Sequence, residues 1–152
     1  MKALLQRVTG ASVKVADEVA GSIGPGLVVL LGVAAGDSEA DVRYLAEKTA
    51  NLRIFADASG KFNLSALETG GEILAASQFT LLADTKKGRR PSFTSAAPPE
   101  QAEHLYNQYV LRVRATGLKV ATGRFGAHMR LEIHNDGPVT ILLDSRDKRS
   151  SP

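Results

Sequence analysis

Three hydrogen-bonding side chains, Ser77, Gln78 and Thr80, interrupt an apolar run in "SQFTL", residues 77 to 81. Within a strand reading of "GGEILAASQFTLLAD", alternation sends Ser77 and Phe79 to one side and Gln78 and Thr80 to the other. Two readings follow. The segment is a solvent-facing strand carrying β-favouring Thr and Phe, or it is a polar ledge at the mouth of a pocket. In the second case Thr80, or a backbone N–H of this segment, stands near a reacting carbonyl. No histidine or carboxylate close in sequence is an obvious base for a Thr80 nucleophile.

A second stretch, "HNDGPVTILLDS" at 134 to 145, places Gly137 and Pro138 just ahead of the apolar run "VTILLD". Asn135, Asp136 and Gly137 can make a turn, and Pro138 can open a strand where its missing N–H costs little. The other Gly-Pro, in "GSIGPG", has a following glycine that suits Pro25 and Gly26 to the central positions of a type II turn. Pro138 has no such neighbour, so its placement asks for a further reason.

Other chemistries are thinly represented. The sequence has no cysteine, which removes disulfides, thiolate catalysis and cysteine-ligated zinc. It lacks G-x-S-x-G, H-E-x-x-H, Walker A and G-x-G-x-x-G patterns. His104, His128 and His134 read as structural or surface residues, since no acidic partner stands at a ligand spacing, and neither a metal nor a cofactor is expected. Formal charge is +3, but the positive residues cluster in "KKGRR" at 86 to 90 and "RDKRS" at 146 to 150. Such runs are solvated loops and tails, or contacts for a phosphate-rich partner.

These residues need elements to hold them. At 152 residues, one domain can bury close to ~70% of its unfolded surface. The longest apolar run, "LVVLLGVAA", is too short to span a bilayer, and no apolar run near the start suits a signal peptide; a soluble cytoplasmic protein is expected. Residues 2 to 9 and 12 to 19 alternate as half-buried strands, and "LVVLLGV" reads as a buried strand. Asp37 or Ser38 caps a helix with Val42, Leu45, Ala46, Thr49 and Leu52 on one face. "ADASGKFN" is a turn, "TKKGRRPSFTSAA" a long loop, and Pro98-Pro99 opens a second helix. That helix carries Ala102, Leu105, Tyr106, Tyr109, Val110 and Val113 on one side and stops near Gly117. "LKVATGRFG", "HMRLEIHN" and "VTILLD" supply the remaining strands. The pattern predicts a single mixed α/β domain, layered β/β/α, with two helices packed on a sheet-rich core. Residues 1–145 form the domain and 146–152 a polar basic tail, expected to be disordered.

Taken together, "SQFTL", "ADTKKGRRPSFTSAAPPE", "NDGPVT" and "QRVTGASV" resemble the D-aminoacyl-tRNA deacylase family, in one order and over the chain to about Ser145. The resemblance implies a homodimer that hydrolyses the ester joining a D-amino acid, or glycine, to the 3′-terminal adenosine of tRNA. Pockets lie at the subunit interface. Ser77, Gln78, Phe79 and Thr80 line one side of each, and Gly137 and Pro138 form a cis peptide that reaches into the partner's pocket. A cis X-Pro bond lies only about 0.5 to 1 kcal/mol above trans, and it can aim neighbouring carbonyl oxygens together to grip an α-ammonium group. An L side chain would then collide with main chain, while a D side chain points outward and glycine passes.

The same resemblance implies roles for the other residues. Thr80 and the Ser77 to Phe79 backbone position the ester and stabilise its transition state, assisted by a ribose hydroxyl of the tRNA, with nucleophilic attack by Thr80 as a second hypothesis. Arg7 braces the Gly137-Pro138 segment, unless it is an ordinary surface ion-pair residue. Phe125 and Met129 seat the terminal adenosine, with core packing the alternative. Lys86, Lys87, Arg89 and Arg90 become phosphate contacts whose binding weakens with salt.

Overall fold

The first strand, β1 (Lys2–Val15), explains much of the architecture because both of its edges are occupied. In this computed structural model, which describes residues 1–150 and side chains as far as Lys148, its burial alternates but changes phase twice. Ala3 and Leu5 point inward, then Val8, then Ala11 and Val13. The phase changes coincide with breaks in its pairing to the last strand, β8 (Met129–Asp144), between Gln6 and Val8 and between Val8 and Gly10. On its other edge β1 pairs antiparallel first with β3 (Gly26–Gly32) and then with β2 (Glu18–Ile23). β3 continues the sheet in parallel to β6 (Glu72–Ser77), and β6 to β7 (Val120–Thr122). β2 curls back towards β7, where a Cβ on Gly21 would lie 2.9 Å from the Thr122 carbonyl oxygen, so the sheet is nearly a barrel.

Gly26 is required for a reason different from the one its sequence suggests. A type II turn needs positive φ there, yet Gly26 is not among the positive-φ residues. It opens β3 against β6 so closely that a Cβ would overlap the Glu72 carbonyl. The missing side chain is needed for backbone approach, the other common use of strand glycine.

Both long helices form where their apolar spacing places them. In α1 (Glu39–Asn51), Ser38 is the N-cap and the Asp41 carboxylate accepts from its N–H at 2.8 Å. Val42, Leu45, Ala46 and Thr49 are buried. A single turn, α2 (Ala66–Thr69), follows the small hairpin of β4 (Phe55–Ala56) and β5 (Phe62–Leu64), within which the "ADASGKFN" turn falls. The second long helix, α3 (Pro99–Ala115), ends at Thr116 and Gly117, whose φ of 101° suits the residue after a helix cap. Both long helices pack on one face of the sheet over a large core containing Leu5, Leu27, Leu45 and Tyr109. A smaller core of Val8, Ala11, Val13, Val28 and Leu74 fills the space under the curled sheet. The result is a layered β/β/α mixed domain with two principal helices on a sheet-rich core.

The C-terminal residues differ from the expected disordered tail. Ser145–Ser150 form a 3-10 helix, and Lys148 Nζ donates to Asp41 Oδ1 at 2.6 Å at the start of α1. Asp41 supplies the reason, since its second oxygen is left over from capping. Residues 151 and 152, also part of that tail reading, lie outside the described residues. No helix among the described residues is long and apolar enough to cross a membrane.

Candidate functional site

The polar ledge is built by the end of a strand. β6 stops at Ser77, beside Leu31 of β3, and Gln78 N–H donates to the Leu31 carbonyl at 2.8 Å. The chain then folds into a 3-10 turn, Phe79–Leu82, closed by Ala83 N–H on the Thr80 carbonyl. The alternation expected for a continuing strand therefore ends after Ser77. Its cause is the parallel partner, because β3 ends at Gly32 and offers no further ladder. Gly32 leaves room for the turn to fold over it, since a Cβ there would lie 2.6 Å from Leu82 and 3.0 Å from the Gln78 carbonyl oxygen.

A cleft of about 600 Å³ opens at this point. Ser77, Gln78 and Phe79 form one wall, Phe125 and Met129 contribute to another, and the floor is small and apolar with Ala76, Ala97 and Ala102. The structure thus brings together five residues singled out from two distant parts of the sequence. Phe125 and Met129 also satisfy the packing alternative, as each lies half-buried against a core cluster. Phe93 and His128 are among the lining residues outside the set of candidates read from the sequence. Phe93 meets Phe79 edge to face, with centroids 5.0 Å apart, and His128 sits exposed at the rim. An aromatic inside a polar loop is the signal for Phe93; His128 has none. Among the described residues, His128 is the only titratable side chain lining the cleft.

Thr80 is exposed and does not line the cleft. Its hydroxyl is held by the Gln78 side-chain amide, which donates to it. Behind the floor, burial pushes the Tyr106 phenol up to about 12, and its hydroxyl donates to the Ala75 carbonyl at 3.0 Å. That bond fixes α3 to β6 just ahead of the ledge.

Gly137 and Pro138 lie elsewhere. β8 runs past them as one strand, but from Gln6↔Thr140 to Val8↔Asn135 its residues 136–139 leave the ladder opposite the single residue Arg7. This is a large bulge, closed by Asn135: its Oδ1 accepts from Val139 N–H at 3.1 Å and its Nδ2 donates to Thr140 Oγ1 at 3.0 Å. The sequence reading of a turn followed by a strand is half of the picture, because the turn is inserted within a continuous strand. The Gly137–Pro138 peptide is cis, Gly137 has φ of 124°, and both residues are exposed. Arg7 sits under the bulge with its side chain 13% exposed. Its Nη1 donates to the Ile54 carbonyl at 2.9 Å, and its Nε to the Asp136 carbonyl at 3.3 Å and towards the Asp136 carboxylate at 3.4 Å. It therefore makes an ion pair and contacts the bulge at the same time.

The basic run forms the tip of a hairpin-like loop. Asp84 and Ser92 exchange backbone hydrogen bonds at 2.7 and 2.9 Å, leaving Lys86, Lys87, Arg89 and Arg90 exposed. None of the four forms an ion pair among the described residues. No group of three or more His, Asp and Glu side chains converges as a metal site among those residues.

The molecule is thus a mixed α/β domain with an apolar, aromatic-walled cleft at the end of β6. Residues 4–144 match the family model for D-Tyr-tRNA(Tyr) deacylase, and the chain belongs to that family. It is 62% identical over 148 residues to a D-aminoacyl-tRNA deacylase of Dehalococcoides mccartyi, covering 97% of each chain. A D-aminoacyl-tRNA deacylase of Roseiflexus sp. is 63% identical over 145 residues, covering 95% of this chain and 94% of the relative. The solved structure of a c-Myc DNA Unwinding Element Binding Protein superposes with a TM-score of 0.89 at 45% identity, covering 95% of this chain and 98% of that one.

Proposed function

We propose that the protein hydrolyses the ester between a D-amino acid and the 3′-terminal adenosine of tRNA, in the cytoplasm, releasing the free amino acid and tRNA. The observation that carries this reading is the family match across residues 4–144, with relatives of that activity at 62 and 63% identity. Residues 1–145 are the deacylase unit. The cleft supports the assignment of parts. Phe125 and Met129 hold the adenine, and the Ser77 to Phe79 wall positions the acyl carbonyl. Water attacks that carbonyl, the ester C–O bond breaks, and the ribose oxygen leaves with a proton. An aminoacyl ester is already reactive, so positioning and donors directed at the developing oxyanion supply much of the acceleration. A ribose hydroxyl of the substrate is the proton carrier in this scheme.

The working unit in this reading is a homodimer. Met129 at the cleft and Gly137 at the bulge are eight residues apart on one strand, roughly 26 Å along its length at ~3.3 Å per residue. Gly137 and Pro138 do not line the cleft of their own chain. β8 pairs only with β1 among the described residues, so its outer edge is available to a second copy. The partner's bulge then enters the cleft and presents main-chain carbonyls to the substrate ammonium. With ammonium and ester both fixed, an L side chain meets backbone, a D side chain leaves towards solvent, and glycyl-tRNA is accepted because it has no side chain. Lys86, Lys87, Arg89 and Arg90 contact tRNA phosphates.

The decisive experiment is release of amino acid from matched D-tyrosyl-, L-tyrosyl- and glycyl-tRNA by the purified protein. Rapid release from the D and glycyl substrates with the L ester spared is the expected result. Binding of tRNA without release of any amino acid would replace the enzyme with a non-catalytic RNA-binding module.

A further inference from the structure

Phe62 stands out because it is a large apolar side chain, 55% exposed, that joins neither core cluster. Its ring faces the Arg7 guanidinium, whose carbon lies 5.3 Å from the ring centroid. A cation over an aromatic face is attracted by the ring quadrupole, and the contact also shields the guanidinium from water on that side. Phe62 is held in place by β5, where it pairs with Ala56 of β4. That hairpin is itself fixed at its base: Arg53 donates through Nε to the Asn63 carbonyl at 2.9 Å, and the Ile54 carbonyl accepts from Arg7.

Arg7 is consequently gripped from three elements: its own strand, the β4–β5 hairpin and the β8 bulge. The consequence reaches the bulge directly, because a Cβ on Gly137 would lie 3.2 Å from Arg7 Nη2. The guanidinium thus lies between the side of Gly137 on which a Cβ would stand and the Phe62 ring.

We propose that Phe62 is a positioning residue for chiral discrimination, acting through Arg7 on the Gly137–Pro138 segment. The proposal rests on the deacylase reading above. Small rotations of the guanidinium move the segment that has to meet an L side chain, so the ring governs how sharply D and L esters are told apart. It makes no contact that the cleft itself requires.

The test is the ratio of kcat/KM for D-tyrosyl- over L-tyrosyl-tRNA in the full-length protein and in Phe62→Leu, Phe62→Tyr, Arg7→Met and the Phe62→Leu/Arg7→Met pair. Phe62→Leu is expected to lower the ratio at least threefold with an unchanged melting temperature. Phe62→Tyr, which keeps the ring, should restore it, and Phe62→Leu should add nothing once Arg7 is Met. A change smaller than threefold in Phe62→Leu, or the same loss in the Arg7→Met background, would overturn the proposal. A wild-type protein that releases neither ester, or both equally, would instead overturn the functional reading beneath it.

Discussion

The Gln78 side-chain amide donates a hydrogen bond to the Thr80 hydroxyl across one 3-10 turn. A hydroxyl oxygen that accepts an N–H is a poorer nucleophile, and among the described residues no carboxylate or imidazole is bonded to Thr80 to take its proton. The pair is a device for holding the turn and its main-chain donors. Thr80→Ala should therefore lower kcat by about 10²- to 10³-fold, the scale of one missing transition-state interaction rather than the roughly 10⁶-fold scale of a missing nucleophile. Single-turnover release from D-tyrosyl-tRNA distinguishes the two.

The exposed hairpin tip should reveal itself in salt dependence. Replacing Lys86, Lys87, Arg89 and Arg90 by Gln removes four cations that form no ion pair among the described residues. Each tRNA phosphate that the protein then leaves unneutralised should flatten the plot of log affinity against log salt by about 0.7 to 0.9. Activity on a D-aminoacyl ester of adenosine alone, which has no phosphate, should remain as in the parent protein.

Thr49 and Tyr109 link the two long helices through their hydroxyls, 2.7 Å apart and both fully buried. Thr49 Oγ1 donates its proton to the Leu45 carbonyl at 2.8 Å, so Tyr109 must be the donor in the shared bond. This asymmetry predicts unequal substitutions. Thr49→Val strands a buried phenol and should cost about 1 to 3 kcal/mol, whereas Tyr109→Phe should cost about 1 kcal/mol. Urea unfolding of the two variants checks the order.

At the start of α1, burial pushes the Asp41 carboxyl up, but hydrogen bonds from Lys148, Ser145 and the Ser38 N–H, together with the Lys148 charge, outweigh it. The group is held well below the usual carboxylate range. A depressed folded-state value means its stabilisation is complete above the unfolded value of about 3.9 and is lost as pH falls through the folded one. Asp41→Asn should cost about 2 kcal/mol at neutral pH. That difference from wild type should shrink only in strong acid, as followed by urea midpoints at a series of pH values.

Sequence reading reaches the helices because their buried faces obey helical spacing, and α3 shows this most plainly from Ala102 to Val113. It fails where tertiary partners set the backbone. Nothing local says that β3 ends at Gly32, and this ending is what turns Phe79 and Thr80 out of a strand. Nothing local says that residues 136–139 leave the ladder opposite Arg7, since that depends on how β1 and β8 register over their full lengths. The tail defeats a local reading for a similar reason: a charged run looks solvated until a buried carboxylate such as Asp41 is found to face it. The family motifs pick out Ser77 to Phe79, Phe125 and Met129, which line one cleft, whereas Phe93 and His128 become visible only when the loop and strand around them fold to a common rim.

The distance between bulge and cleft along β8 has a genetic consequence. In the proposed assembly each catalytic unit draws its wall from one gene copy and its chirality filter from the other. Gly137→Ala damages the filter, because a Cβ there would sit 2.8 Å from Val139 Cγ2 at a φ of 124°. Thr80→Ala damages the wall. Cells or mixtures producing both crippled chains should then regain activity, since half of the random pairings are hybrids in which one site receives an intact wall and an intact filter while the other collects both defects.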